Sequence, residues 1–370
     1  MRLATYNVEN LFARPKVMNL DTWQAGEVVL EKHAAVNVLL GKAQYTAADK
    51  TKILALLADL GLDTDDESPF LLLRRSRGSL LSRPTGGPVT ITASGRGDWI
   101  GSVELKLEQI RERPILNTAK VISDSAPDVL AVVEAESRPS LEMFADDIMP
   151  RVGAHRFDKV MLIDGNDTRG IDVGLMAVPG FTIDRMRSHV DDRNAAGKRI
   201  FSRDCPEFEV VTPSGQTVLV LVNHFKSNGY GSASSSNARR LEQATRVAAI
   251  YNQRKAEGVT HIAVAGDLND TPTSAPLKPL LQATDLKDAF AHPQFNDGGH
   301  KGTYGSSTAN NKIDYLLLSP ALFAAVTAGG VNRTGMWPGV RPPKWQKLPE
   351  VLKESDVASD HALVWVDVAV

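Results

Sequence analysis

The chain has 370 residues and a formal net charge of −2, with 42% hydrophobic and 23% charged residues. These proportions are ordinary for a globular protein, and the length suits one large domain or two smaller ones. The small net charge excludes a strong global attraction to nucleic acid but allows a local phosphate-binding groove. Cys205 is the only cysteine, which excludes an internal disulfide and a cysteine-based zinc site and is typical of a buried apolar residue.

The predicted elements begin with a strand at 2–8, which follows the N-terminus without a signal-peptide pattern. A helix is predicted over 46–61, where Thr46 can cap the start and Gly61 can end it. Short strands and turns follow, and then a helical segment that is interrupted by a proline. These elements are strands at 70–74, 79–82 and 88–93 and a helix at 103–124. Because the sequence shows no signal-peptide pattern and no apolar run approaches the ~18 residues of a membrane span, we expect a cytoplasmic protein.

From residue 128 onward, apolar runs bounded by turn residues indicate the strands of a core sheet. They lie at 128–133, 159–163, 171–178, 207–211, 217–223, 260–265, 313–318 and 362–369. Helices are predicted between them at 140–149, 237–256 and 274–283. Strands that dominate a chain with interspersed helices are typical of two sheets packed face to face, with helices outside.

Polar side chains stand at the ends of many of these strands. They are Asn7 and Glu9, Glu134, Asn223 and His224, Asp267 and Asn269, Asp314, and Asp360 with His361. Each one alone is typical of a turn or a cap. If several strands end at one edge of the sheet, however, the same side chains converge on a pocket. Their repetition at successive strands favours a functional site.

The residue types in this series indicate metal-assisted chemistry on a phosphate. Glu9, Glu134 and Asp360 offer the hard oxygen ligands that suit Mg²⁺ or Mn²⁺. A bound cation would polarise the phosphoryl oxygen and neutralise the charge that develops there. Asp267 can orient or deprotonate an attacking water, and Asn269 can donate a hydrogen bond at the same place.

Two histidines complete this interpretation. His224 and His361 can donate hydrogen bonds to non-bridging phosphate oxygens. Asp314 can hold His361 in the required tautomer, as a carboxylate does for a catalytic imidazole. The residues therefore predict a divalent-metal-dependent phosphoesterase.

Six segments resemble, in order, the signature blocks of the endonuclease/exonuclease/phosphatase superfamily. They read TYNVENL, DVLAVVEAE, VNHFKS, AVAGDLND, KIDYLLLS and ASDHALV. That superfamily includes DNase I-like nucleases, abasic-site endonucleases, neutral sphingomyelinases and inositol polyphosphate 5-phosphatases. The resemblance covers residues 1–12 and roughly 117–370. It implies one α/β domain of the DNase I-like type, a four-layer α/β/β/α sandwich. Its first two blocks are unusually far apart, which makes 13–112 an insertion of a helix and small strands.

The resemblance also implies roles at the matching positions. The metal ligands for Mg²⁺ or Mn²⁺ would be Asn7, Glu9, Glu134 and Asp360, with Glu134 as the principal one. The catalytic residues would be His224, Asp267, Asn269, Asp314 and His361. Asp267 and Asn269 would position the nucleophile, and Asp314 and His361 would form a dyad at the phosphate.

Four further residues are predicted to bind substrate, namely Arg169, Lys226, Asn223 and Tyr304. Arg169 can clamp a phosphate, or it can pair with Asp167 or Asp172 as a structural residue. Lys226 can contact a phosphate or remain a solvated lysine. Tyr304 can stack on a base or sugar, or it can serve only in packing.

Other arginines have two readings as well. Arg199 and Arg203 can line the cleft or belong to a solvated face. In the insertion, basic and aromatic residues are interleaved, a pattern that can bind single strands but also suits an ordinary exposed surface. They are Arg74, Arg75, Arg77, Arg83 and Arg96, with Phe70 and Trp99. Of the two, an ordinary exposed surface is slightly preferred.

The preferred functional hypothesis is a phosphodiesterase that acts as a nuclease on DNA or RNA. The expected partner is thus a phosphoester substrate, with nucleic acid as one candidate. The alternative is a phosphatase or phosphodiesterase that acts on a small molecule or a lipid head group. A non-catalytic binding module with the same fold is disfavoured because all the expected acids, amides and histidines are present.

Overall fold

The computed structural model describes residues 1–9, 11, 13–20, 23–109, 112–154, 156–167, 170–227, 233–340 and 342–370. The chain divides into two compact units. The larger is built from Met1–Phe12, Ile110–Asn228 and Ser232–Val370, and the smaller mainly from Ala13–Gln109. The smaller unit covers most of the predicted insertion at 13–112.

Nineteen strands lie in the described part of the chain. They are β1 (Arg2–Asn7), β2 (Ala13–Pro15), β3 (Leu71–Arg77), β4 (Leu81–Ser82), β5 (Thr90–Ile91), β6 (Ile100–Leu105), β7 (Leu107–Gln109), β8 (Val129–Ala135), β9 (Lys159–Ile163), β10 (Asp172–Ala177), β11 (Thr182–Arg187), β12 (Glu207–Val211), β13 (Thr217–His224), β14 (Ile262–Asp267), β15 (Lys287–Asp288), β16 (Phe295–Asn296), β17 (Asp314–Leu318), β18 (Val326–Asn332) and β19 (Leu363–Val368).

The helices lie between these strands. They are α1 (Trp23–Leu40), α2 (Ala47–Asp59), α3 (Glu112–Ser125), α4 (Arg138–Met143), α5 (Ala233–Ala256), α6 (Lys278–Leu281) and α7 (Pro320–Ala324). Short 3₁₀ turns occur at Lys16–Asn19, Met149–Val152, Ala289–Ala291, Ala309–Asn311 and Glu354–Asp356, and one π turn occurs at Phe144–Ile148. Among the residues that the structure describes, none of these helices is long and apolar enough to cross a membrane.

Two mixed sheets form the larger unit. One has the strand order β16-β18-β19-β1-β8-β10-β9, and the other has the order β11-β12-β13-β14-β17-β15. In each sheet two inner strands run parallel, β1 beside β8 and β13 beside β14. The carboxyl ends of parallel neighbours lie at the same edge of a sheet. The polar residues that end these strands are therefore brought side by side.

Alternating apolar residues explain how the layers pack. Leu3 and Val133 of one sheet share a core with Val220 and Leu316 of the other. The opposite faces of the sheets pack on helices. Ala119 of α3 lies in one outer core, and apolar residues of α5 lie in the other. The resulting order of helix, sheet, sheet and helix confirms the predicted four-layer sandwich of the DNase I-like type.

The smaller unit has its own apolar core, in which Val36 of α1 and Leu57 of α2 meet Trp99 and Val103. The predicted helix at 46–61 is confirmed as α2, and Thr46 caps it through a hydrogen bond from the Asp49 amide at 3.1 Å. The prediction of a helix from residue 103 was wrong. Residues 100–109 form β6 and β7, and α3 begins at Glu112.

Candidate functional site

Strand alternation places three polar side chains in one row. Val220 and Val222 of β13 face the core between the sheets, so His224, two residues on, faces the same way. Asp267 ends β14 and Asp314 begins β17 with the same alternation. His224 pairs with Asp267 in the register, and Asp267 pairs with Asp314. These three side chains therefore stand next to one another at the rim of the inter-sheet core.

His361 joins the row through Asp314. Its Nδ1 lies 2.9 Å and 3.1 Å from the two carboxylate oxygens of Asp314, and both residues are buried. Burial by itself would lower the pKa of His361, but Asp314 and then Asp360 and Asp267 outweigh it and raise that pKa well above its usual value. With Nδ1 donating to Asp314, the Nε2 atom points toward Asp267, 3.9 Å away.

Asp267 lies at the centre of the group. Its Oδ1 accepts the backbone N–H of Asn269 at 2.8 Å, and its Oδ2 accepts the side-chain amides of Asn269 at 3.0 Å and Asn7 at 3.3 Å. Burial first, and then the negative charge of Asp314, raise the pKa of Asp267 to about 7. A carboxylate with a pKa near neutrality, held by three donors, is suited to accept a proton.

A bulge directs Glu134 into the site. Val133 of β8 faces the inter-sheet core and Val132 faces the outer core, so strict alternation would turn Glu134 outward. Instead Glu134 has a positive φ of 68°, the pairing of β8 with β10 shifts here, and Ala135 takes the outward position. As a result, Oε1 of Glu134 lies 3.5 Å from Nε2 of His224.

Glu9 and Asp360 complete the acidic cluster. Glu9 also has a positive φ, of 50°, and its backbone N–H donates to Oδ1 of Asn7 at 3.0 Å. The backbone N–H of Asp360 donates to Oε2 of Glu9 at 3.2 Å. The recessed position of Asp360, and then the negative charges of Glu9 and Glu134, raise the pKa of Asp360. The left-handed backbone conformation of each glutamate costs about 1–3 kcal/mol. Backbone strain of this kind is typical of functional sites.

The donor set fits a hard divalent cation. Among the described residues, ligand atoms of Asp267, Asp314 and His361 lie within 4.8 Å of one another, although the sequence predicted these three as catalytic residues and not as metal ligands. Burial raises the pKa of Asp267 and of Asp360, and the negative charges of Asp314 and Glu9, respectively, raise them further. Carboxylate oxygens crowded in this way are what Mg²⁺ and Mn²⁺ bind, and a cation would offset the repulsion.

The predicted substrate-binding residues separate in the structure. Tyr304 lies at the cluster, with its ring centroid 4.8 Å from that of His361 and 36% of the residue exposed. Lys226 lies two residues beyond His224, half-buried, and its Nζ donates to the carbonyl of Ser227 at 3.0 Å. Arg169 lies outside the described residues.

Asn223 is not part of the cluster. It alternates with His224 and therefore faces the outer core, where the residue is fully buried. Its Nδ2 donates to the carbonyl of Leu221 at 3.2 Å. Near it lies Cys205, which is buried as predicted and whose thiol pKa is raised mainly by that burial. In this structure Asn223 therefore faces away from the cluster that contains His224.

The structure buries three cations, of which Arg203 was considered in the sequence and Lys312 and Arg240 were not. Arg203 is 2% exposed and pairs with Asp167 at 3.1 Å, so neither reading of it, cleft lining or solvated face, was right. Lys312 is 4% exposed, and its Nζ donates to the carbonyl of Asp314 at 2.9 Å. Arg240 of α5 is 1% exposed. Long cationic side chains are rarely buried, so no sequence signal marked them.

The arginines of the smaller unit are largely engaged within that unit. Arg74 pairs with Glu104 at 2.7 Å, and Arg83 pairs with Asp66 at 2.7 Å. Arg96 lies over the ring of Trp99, 5.7 Å from its centroid. Residues 13–109 contain twelve basic and twelve acidic residues. These contacts support an ordinary exposed surface rather than one that binds single-stranded nucleic acid.

Several solved structures resemble this chain. A mannosyl-6-phosphatase from Bacteroides thetaiotaomicron VPI-5482 is 16% identical, with 70% of this chain and 90% of that one covered and a TM-score of 0.50. The human nocturnin catalytic domain with bound sulfate is 16% identical, with 71% and 88% covered and a TM-score of 0.49. Truncated Caenorhabditis elegans TDP2 is 15% identical, with 69% and 88% covered and a TM-score of 0.47. At 16% identity, the likeness to the mannosyl-6-phosphatase indicates a shared fold and nothing more.

None of the curated proteins matches the sequence. The model of the endonuclease/exonuclease/phosphatase family does, over residues 92–330, which is more than half of the chain. The match begins inside the predicted insertion and includes Glu134, His224, Asp267 and Asp314. This chain belongs to the endonuclease/exonuclease/phosphatase family and is a metal-dependent phosphoester hydrolase.

Proposed function

We propose that this protein hydrolyses phosphodiesters with Mg²⁺ or Mn²⁺ and that its substrate is DNA or RNA. The observation that carries the proposal is the buried contact of His361 with Asp314 beside Asp267, at the edge of an acidic cluster. This arrangement joins a hydrogen-bond donor for a phosphate oxygen to a carboxylate able to hold a water molecule.

Asn7, Glu9, Glu134 and Asp360 would hold the metal, with Glu134 as the principal ligand. The bound ion would supply Lewis-acid polarisation of the phosphoryl oxygen and charge neutralisation. The strained backbone at Glu9 and Glu134 supports this assignment, because each carboxylate is turned out of regular strand geometry toward the cluster.

The remaining roles follow from hydrogen bonds within the protein. Asp267 orients the attacking water and accepts its proton, while Asn269 and Asn7 keep the carboxylate in place. His361, protonated and held by Asp314, donates a hydrogen bond to a non-bridging phosphate oxygen. His224, on the strand next to that of Asp267, donates to a phosphate oxygen as well.

Three further residues are proposed to contact the substrate. Lys226 and Arg169 are proposed to contact the phosphate. The exposed ring of Tyr304 offers a surface on which a base or sugar can stack.

The small net charge supports contacts with only a few phosphates. Each phosphate neutralised by the protein increases the dependence of binding on salt, so we expect a shallow dependence for oligonucleotides. The balanced charge of residues 13–109 gives some support to a second candidate, a small phosphodiester or lipid head group.

Turnover assays test the proposal. Purified protein with Mg²⁺ or Mn²⁺ should cleave labelled DNA or RNA oligonucleotides and bis-(p-nitrophenyl) phosphate, and a chelator should abolish both activities. Efficient cleavage of small esters with inert oligonucleotides would favour the second candidate. No metal-dependent cleavage of any phosphoester would refute the proposal.

A further inference from the structure

Side chains of helix α5 form hydrogen bonds with both the backbone N–H and the backbone carbonyl of Lys226. The backbone N–H of Lys226 donates to Oε1 of Gln243 at 2.9 Å, and Nη1 of Arg240 donates to its carbonyl at 2.8 Å. Gln243 is fully buried, and Arg240 is 1% exposed. The two side chains are three residues apart on α5, so they lie on one helix face. The peptide groups that flank Lys226 are thus fixed by buried side chains.

The same arginine also binds the loop that follows Asp267. Nε of Arg240 lies 3.0 Å from Oδ2 of Asp270, whose side chain is 15% exposed. Asp270 directly follows Asn269, which donates to Asp267 at 3.0 Å and to the carbonyl of Phe225 at 3.2 Å. Arg240 therefore lies between the loop that carries Lys226 and the loop that orients Asp267.

A buried guanidinium is costly unless each of its donors is satisfied. The planar fork of arginine can serve a carbonyl and a carboxylate together, whereas the single ammonium of lysine cannot keep the same geometry. Here the fork joins two loops that end adjacent parallel strands, β13 and β14. This geometry links the position of Lys226 to that of Asp267.

We propose that Arg240 is a positioning residue that holds Lys226 at the spacing from Asp267 at which its ammonium meets the substrate phosphate. This inference rests on the proposed function only in taking Lys226 as a phosphate contact. It adds that the contact is set from behind by a buried helix residue that touches neither substrate nor metal.

A double-mutant cycle on kcat/KM for bis-(p-nitrophenyl) phosphate tests the inference. Arg240→Lys should lower kcat/KM about 10- to 100-fold, the loss expected when a contacting group is misplaced by about 1 Å. In a Lys226→Met background the same substitution should cost less than about threefold, because the group that it positions is already absent. Equal losses in the two backgrounds would overturn the proposal.

Asp270→Asn provides a second, nearly isosteric variant in case Arg240→Lys fails to fold. It should reproduce the loss in kcat/KM, and again only when Lys226 is present. Arg246→Lys is the matched control, because Arg246 lies on the same helix and pairs with Asp192 at 2.6 Å in a half-exposed site. It should change kcat/KM less than about twofold. A loss from Arg246→Lys as large as that from Arg240→Lys would point to general destabilisation of α5 and overturn the proposal.

Binding of inorganic phosphate separates this inference from the proposed function. If wild type cleaves no ester, the same cycle is measured on the Kd for inorganic phosphate in the presence of Mg²⁺, by calorimetry. Coupled losses of affinity in Arg240→Lys and Lys226→Met would then support the inference while the proposed function fails. Uncoupled losses, or no phosphate binding by wild type, would reject it.

Discussion

Replacing Asp314 with asparagine keeps the size of the side chain but removes the negative charge beside His361. In the wild type, Nδ1 of His361 lies 2.9 Å and 3.1 Å from the two oxygens of Asp314 in a buried pair. A hydrogen bond to a charged group contributes about 1.5–3 kcal/mol, and about 1.4 kcal/mol corresponds to a factor of ten. We therefore expect Asp314→Asn to lower kcat/KM about 10- to 150-fold.

The same substitution should change the pH dependence. Burial alone lowers the pKa of His361, and Asp314 is the foremost of the charges that raise it. Without that charge, His361 loses its proton at a lower pH than in the wild type. The alkaline limb of the pH–rate profile should therefore move to lower pH in Asp314→Asn, if the protonated histidine is the active form.

Steady-state kinetics with bis-(p-nitrophenyl) phosphate between pH 5.5 and 9 would measure both effects. The unfolding temperature of the variant serves as the control for stability. In a His361→Ala background, Asp314→Asn should have little further effect, because the carboxylate acts through the imidazole. A loss of the same size in that background, or an unshifted alkaline limb, would refute this account of the pair.

Three further predictions concern the acidic groups. Glu134→Gln should lower turnover at least about 10²-fold and weaken Mg²⁺ binding, and a metal titration that matches wild type would exclude Glu134 as a ligand. The affinity for Mg²⁺ should rise between pH 6 and 8.5 in calorimetry, because Asp360, a proposed ligand with a raised pKa, must release its proton, and the cation also favours the charged form of the neighbouring Asp267; a constant affinity would contradict this. Asp172 accepts the amide of Gly165 at 2.8 Å, and burial above all raises its pKa to about 7. Protonated Asp172 contributes stability that is present below its unfolded pKa of about 4 and is lost as the pH rises through about 7. The unfolding temperature of metal-free Asp172→Asn should therefore fall less than that of wild type from pH 5 to 8. Parallel curves would show that Asp172 does not titrate in this way.

Much of the sandwich was predictable because its strands are buried on both faces. Such strands read as continuous apolar runs with turn residues at their ends, and the runs at 171–178 and 217–223 match the inner strands β10 and β13 to within one residue at each end. The exposed pattern of β11 has no such run, and this strand was missed. The edge strand β9 keeps an apolar run and was predicted at 159–163, so a strand is missed where its residues are exposed and polar, as in β11.

The sequence identified the strand ends but not the direction of every side chain. Asn223 and His224 are equivalent as polar residues at the end of a strand, and only the alternation in β13 separates them. Glu134 shows the opposite case, because simple alternation would turn it away from the site. The side chain of Glu134 points into the site because of a β-bulge, and no residue type in this segment predicts that bulge.

The smaller unit was the least predictable part of the chain. Helix α1 was missed because its valines and other apolar residues do not form a single clear stripe, and β-branched residues favour strands as well. Residues 103–109 were read as helix although they pair as β6 and β7. Pro114 then lies in the first turn of α3, where proline is tolerated.

The pairing of β2 with β7 has a consequence for how this chain could have been assembled. Ala13 and Gln109 are partners in that ladder, so the segment between them leaves and returns at almost the same point. A segment with adjacent ends can be gained or lost as one module without parting the elements that precede and follow it. Replacing residues 13–109 with a short turn would therefore yield a shortened enzyme, in which the size of substrate accepted can be compared directly with that of the full chain.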